Sequence, residues 1–168
     1  MLINIALIAL CSVSFITDIK YRKVPNKLTY PLIVSAFLYH GYTSGLEGIK
    51  FSAAGLFLGF VLLIIPFMFG GMGGGDIKYL MAAGALGGPE FTLKLFIYTG
   101  LIGGVVALAL MLKDRILFKF LKEVFLILYW FPAAKLKLTV GGSTIPYAVC
   151  LSAGTLAALI MPAVPLIK

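Results

Sequence analysis

Two aspartates carry the chemistry that this sequence offers. Asp76 follows the glycine run in the stretch FGGMGGGDIKYL, residues 69–80, where five of the six residues from Gly70 to Gly75 are glycine. The preceding run from Phe51 to Phe69 contains no charged side chain. A carboxylate at the end of such a run is expensive near hydrocarbon and marks a functional site by default. Asp18 stands in the same local pattern: Asp-Ile-Lys-Tyr occurs at 18–21 and again at 76–79. Two carboxyls brought together cannot both ionise readily and share a proton. The ionised one can activate water against a peptide carbonyl, while the protonated one supplies a proton to the carbonyl oxygen and the leaving amine. The glycines let an extended peptide backbone come close. No metal or other cofactor is required. The single histidine, His40, falls at the opposite face and reads as an interfacial residue, and no serine or cysteine nucleophile has a base nearby.

The elements that must position these acids are apolar helices. The chain has 168 residues, 61% hydrophobic and only 12% charged, against about 25% charged for a soluble domain. Its apolar runs approach the roughly 20 residues a membrane helix needs. The composition predicts an all-α polytopic membrane protein, residues 1–168 forming one membrane-embedded domain. About six spans are expected, near residues 2–17, 28–46, 51–69, 76–88, 91–112 and 144–161. The fourth is short: about 12 residues reach only about 18 Å. Either the bilayer thins there, or the helix continues through Gly87-Gly88-Pro89, or the glycine loop dips inward. Gly100, Gly103 and Gly104 in the fifth are expected to admit a neighbouring helix. Between Lys113 and Val140, Ile116, Phe120, Val124 and Ile127 recur at helical spacing and predict a cytoplasmic interfacial amphipathic helix. Met1 to Thr17 reads as a retained first span, since it lacks a basic n-region.

Charge sets the orientation. The net charge of +8 follows the positive-inside rule better than it describes a nucleic-acid footprint. With the N-terminus outside, eleven of the fourteen basic residues lie inside and only Lys50, Lys94 and Lys168 outside. Asp18 and Asp76 then share the cytoplasmic face of the cell membrane. Lys20 and Lys78, two residues beyond each acid, read as membrane anchors, because positions i and i+2 do not face each other on a helix. Cys11 and Cys150 lie in apolar segments and form no C-x-x-C pair.

GMGGGDIKYLMAAGALGG resembles the G-x-G-D segment of the type IV prepilin peptidases, with Gly73, Gly75 and Asp76 at the motif positions and Gly74 between them. DIKYRKVPNKLT, residues 18–29, resembles the family's first catalytic segment, with Pro25 and Asn26 as its Pro-Asn. IPYAVCLSAG, residues 145–154, is similar to its Pro-Tyr motif in the last span, through Pro146 and Tyr147. The resemblance implies a membrane aspartyl endopeptidase in which Asp18 and Asp76 cut the basic leader from type IV prepilins or pilin-like proteins. Gly73, Gly74, Gly75, Lys78, Pro146 and Tyr147 would line the substrate path, with Tyr147 serving either substrate contact or packing. Pro25 and Asn26 would support the turn after Asp18. The expected partners are prepilin substrates and the bilayer, without nucleic acid; the oligomeric state is left open. The chain looks like the short forms of tight-adherence (Flp) pilus systems or archaeal preflagellin peptidases, and methyltransferase activity is not implied. The competing readings are a small ion-coupled transporter, which would place acids near mid-span, and a non-catalytic pilus assembly factor.

Overall fold

The computed structural model describes residues 2–21, 24–68, 72–113 and 147–161, and these are helical apart from short connections. Four helices follow in order: α1 (Leu2–Tyr21), α2 (Asn26–Met68), α3 (Gly74–Lys113) and α4 (Tyr147–Ile160). The interfacial helix expected from Lys113 to Val140 lies outside the described residues, apart from its first. Residues 1–102 and 146–168 form one compact unit, which contains every group discussed below except the end of α3. Residues 103–145 form a second unit, of which the final turns of α3 are described.

α2 and α3 are each about twice as long as one crossing requires, and each is interrupted by one glycine. Gly45 has φ 59° and ψ −137°, and Gly88 has φ 78° and ψ −178°. Side chains with a Cβ avoid such backbone. The break reverses the chain in both helices. In a straight helix, residues eight apart are separated by about 12 Å. Here Gly41 lies against Ile49, and a Cβ on Gly48 would meet the His40 carbonyl. Likewise a Cβ on Gly84 would stand 2.7 Å from Thr92 Oγ1. Each long helix is therefore a hairpin of two arms, residues 26–44 and 46–68 in α2, 74–87 and 89–113 in α3. The helix does not continue through Gly87-Gly88-Pro89: Gly88 breaks it and Pro89 lacks the N–H to repair it.

The first arm of α3 is the centre of the unit. From Asp76 to Leu86 nearly every residue is buried, whichever way it points, as in a helix surrounded by protein. This accounts for its shortness, because an arm enclosed by neighbours need not match the hydrocarbon thickness. Small residues let the neighbours close in. The buried face of the second α2 arm is Gly48, Ser52, Gly55, Gly59 and Leu63. A Cβ on Gly55 would strike the Gly84 carbonyl, and one on Gly84 would strike the Gly55 carbonyl. Gly100 and Gly104, by contrast, have open space around them. Among the described residues the close-approach glycines include Gly48, Gly55, Gly59, Gly84 and Gly154. A small-x-x-x-small pattern at 55–59 carries that signal in the sequence.

Lipid-like surroundings suit the outside. Leu38, Val34, Phe57, Ile65, Leu101 and Val105 are all well exposed, and such a surface exceeds what a water-soluble monomer presents. α2 and the stretch Gly74–Ala109 are long and apolar enough to cross a membrane. His40 secures the far end: its Nε2 lies 3.1 Å from the Leu86 carbonyl oxygen. A carbonyl only accepts, so Nε2 carries the proton. Its ring also packs against Phe51, which covers Gly88.

Candidate active site

Asp18 lies in the last turn of α1, which runs on to Tyr21 rather than ending at Thr17. It belongs to the buried stripe Leu7, Leu10, Cys11, Ser14 and Asp18, spaced at three and four residues as one helix face requires. Asp76 lies in the first turn of α3, which begins at Gly74, so Gly74 and Gly75 are helical rather than loop. Each carboxyl residue is only 7% exposed. They lie near enough for the charge of one to act on the other, and both act on the buried Cys150 thiol at the start of α4.

The start of α3 explains how Asp76 is held. Gly73 N donates to Asp76 Oδ2 at 3.0 Å, and Asp76 N donates to the Gly73 carbonyl at 3.1 Å. This is half of a capping box, with an acid at the third helical position reaching back to the N-cap amide. One carboxylate oxygen is thereby oriented by the backbone, leaving Oδ1 for other chemistry.

Two contacts bring the separated motifs together. Gly75 abuts Val24: a Cβ there would lie 3.2 Å from Val24 Cβ and 3.3 Å from Val24 N. Lys78 Nζ donates to Asn26 Oδ1 at 2.9 Å and sits 5.7 Å from the Tyr30 ring centre. Lys78 therefore joins α3 to α2. The turn after α1 is capped by the Pro25 carbonyl, which accepts from Leu28 N and Thr29 N, while the Asn26 amide faces Lys78 instead of the turn. Lys20 projects outward over Tyr21. Pro146 and the Tyr147 side chain lie outside the described residues; Tyr147 begins α4.

Beneath the acids runs a polar seam that sequence reasoning missed. Cys11 Sγ donates to the Ser152 carbonyl and Ser152 Oγ to the Cys11 carbonyl, each at 3.3 Å. Tyr79, fully buried, has its hydroxyl 2.7 Å from Thr155 Oγ1. Thr155 spends its own proton on the Leu151 carbonyl at 2.8 Å, so Tyr79 is the donor. The repeat of Asp-Ile-Lys-Tyr hints at Tyr79, but nothing along the chain pairs it with a residue 76 positions away.

A sequence profile described as the type IV leader peptidase family matches residues 5–108. The chain belongs to that family. The matched stretch holds both aspartates of this leader peptidase family member and both contacts that join their segments. A prepilin leader peptidase/N-methyltransferase of Bacillus subtilis is 30% identical over 115 residues, which cover 67% of this chain and 46% of that protein. One of Vibrio cholerae is 35% identical over 95 residues, 52% of this chain and 37% of that protein. The chain thus spans less than half the length of these relatives. No solved structure matches it.

Proposed function

We propose that this protein is a membrane aspartyl endopeptidase that removes the basic leader peptide from type IV prepilins or pilin-like proteins. What supports the reading is that two acids, 58 positions apart in sequence, are both buried in terminal helical turns inside the region matched to the family. The relatives are named for prepilin leader cleavage, which supplies the substrate class. In this mechanism the two carboxyls share one proton. The ionised carboxylate takes a proton from water as the water oxygen bonds to the scissile carbonyl carbon. The protonated carboxyl donates to the carbonyl oxygen. Collapse of the tetrahedral species breaks the C–N bond, and a proton passes to the leaving amine. Asp76 Oδ1 takes part in this exchange, since Oδ2 is engaged by Gly73.

Six apolar segments, the arms of α2 and α3 with α1 and α4, each cross the bilayer in this reading. The positive-inside rule then sets the N-terminus outside and the acids at the cytoplasmic face. Both acids sit in terminal turns, where a cytoplasmic leader can reach them; a coupled transporter would hold them near mid-span.

The test is cleavage of a prepilin in liposomes by Asp18→Asn and Asp76→Asn. Each substitution removes the acid at nearly constant shape, and each is expected to abolish cleavage, by about 100-fold or more, with insertion unchanged. Near-native turnover by either variant overturns the reading.

A further inference from the structure

Ser14 is fully buried, and its hydroxyl has no hydrogen-bond partner among the described residues. Several other helical hydroxyls bond back to the preceding turn: Ser12 to the Ile8 carbonyl at 2.8 Å, Thr17 to Val13 at 2.9 Å, Ser35 to Leu32 at 2.9 Å and Thr155 to Leu151 at 2.8 Å. Ser14 makes no such bond among the described residues, although it is fully buried. Buried hydroxyls left unbonded are costly, and in native proteins such groups are met by protein or by ordered water.

The position says what meets it. Ser14 precedes Asp18 by one helical turn on the buried stripe of α1 and follows Cys11 by three residues. Cys11 is cross-bonded to Ser152 of α4, and Tyr79 lies one turn below Asp76 on α3, bonded to Thr155. Ser14 therefore lies on the buried face of α1 between Asp18 and Cys11, the residue cross-bonded to Ser152. Among the described residues the hydroxyls of Ser52 and Thr99 also lack partners, but neither shares a helix face with an acid; Thr99 lies against Gly154.

We propose that Ser14 holds a water molecule on the inner side of the Asp18–Asp76 pair, making it a positioning residue for the water consumed in hydrolysis. This rests on the peptidase reading above. A buried water needs two to four polar partners; the Ser14 hydroxyl supplies one and the carboxyl one turn above supplies another. Each acid is only 7% exposed, so a hydrolase built on them gains from a fixed site that keeps water beside them.

The test is kinetics of the full-length protein in liposomes with a prepilin substrate. Ser14→Ala is expected to lower kcat about tenfold, the effect of one lost hydrogen bond in the transition state, with KM unchanged. The thiol of Ser14→Cys, close in size but a weak donor, should behave like Ser14→Ala, and Ser14→Thr, which keeps the hydroxyl, should recover most of the rate. Native kcat in Ser14→Ala, or equal loss in the alanine and threonine variants, overturns the assignment. Should the variants fail to insert, electron density of the native protein decides: an ordered water within hydrogen-bond distance of Ser14 Oγ supports it, and a dry hydroxyl overturns it. Asp18→Asn and Asp76→Asn run alongside. If they are inactive while Ser14→Ala is native, only the water site falls; if either is active, the peptidase reading itself falls.

Discussion

Lys78 and Asn26 are joined by a 2.9 Å hydrogen bond from ammonium to amide oxygen, and this bond ties the first turn of α2 to the helix that carries Asp76. The partners of Lys78 are neutral, an amide and the Tyr30 ring. Its role is to hold two helix starts in register, with the Pro25-capped turn on one side and the glycine-aspartate segment on the other.

Breaking that tie is expected to loosen the site without unfolding the protein. Lys78→Met and Asn26→Ala should each lower thermal stability by about 0.5–1.5 kcal/mol, the range of a single hydrogen bond that is not fully buried. Because both remove the same bond, the double variant should lose little more than either single one. A double-mutant cycle on unfolding midpoints checks this, and full additivity would show that the residues act independently.

The three glycines before Asp76 are expected to differ sharply. A methyl group on Gly75 would press on Val24 at 3.2 Å, with backbone close behind. Gly75→Ala should therefore displace the Val24-Pro25 turn and reduce prepilin cleavage at least tenfold. Gly74 has only Phe67 within 3.9 Å and lies in a helical turn, so Gly74→Ala should be neutral or stabilising by up to about 1 kcal/mol. A Cβ on Gly73 would lie 3.5 Å from Asp76 Oδ2 and 3.9 Å from Gly75 N, and Gly73→Ala should fall between them. Cleavage rates of the three variants, measured side by side with their unfolding midpoints, test the order.

The two hairpin glycines should also separate. Gly45→Ala meets no neighbour and carries only backbone strain, about 1–3 kcal/mol. Gly88→Ala carries the same strain and strikes the Phe51 ring as well. It should be the more destabilising, and Phe51→Ala in the same chain should relieve part of the difference. Detergent unfolding of the two singles and the Gly88→Ala, Phe51→Ala double would reveal equal effects if the Phe51 contact were unimportant.

Much of this protein is legible along the chain because its signals are local. A carboxylate after a glycine run, a Pro-Asn turn after another aspartate and long apolar runs all announce themselves within a dozen residues; together they determine the helical class and the family, and they are the basis for proposing the two acids. The breaks in α2 and α3 fall near the boundaries read from composition because glycine and proline act on their own backbone. Contacts between distant residues have no such signature. That Gly55 and Gly84 share a backbone contact, that Lys78 bonds Asn26, and that Tyr79 finds Thr155 while the Ser14 hydroxyl finds no partner among the described residues were decided only when the helices packed. Packing depends on which faces are small enough to meet, and that is a property of pairs of helices, set by rotation and register that no single segment contains.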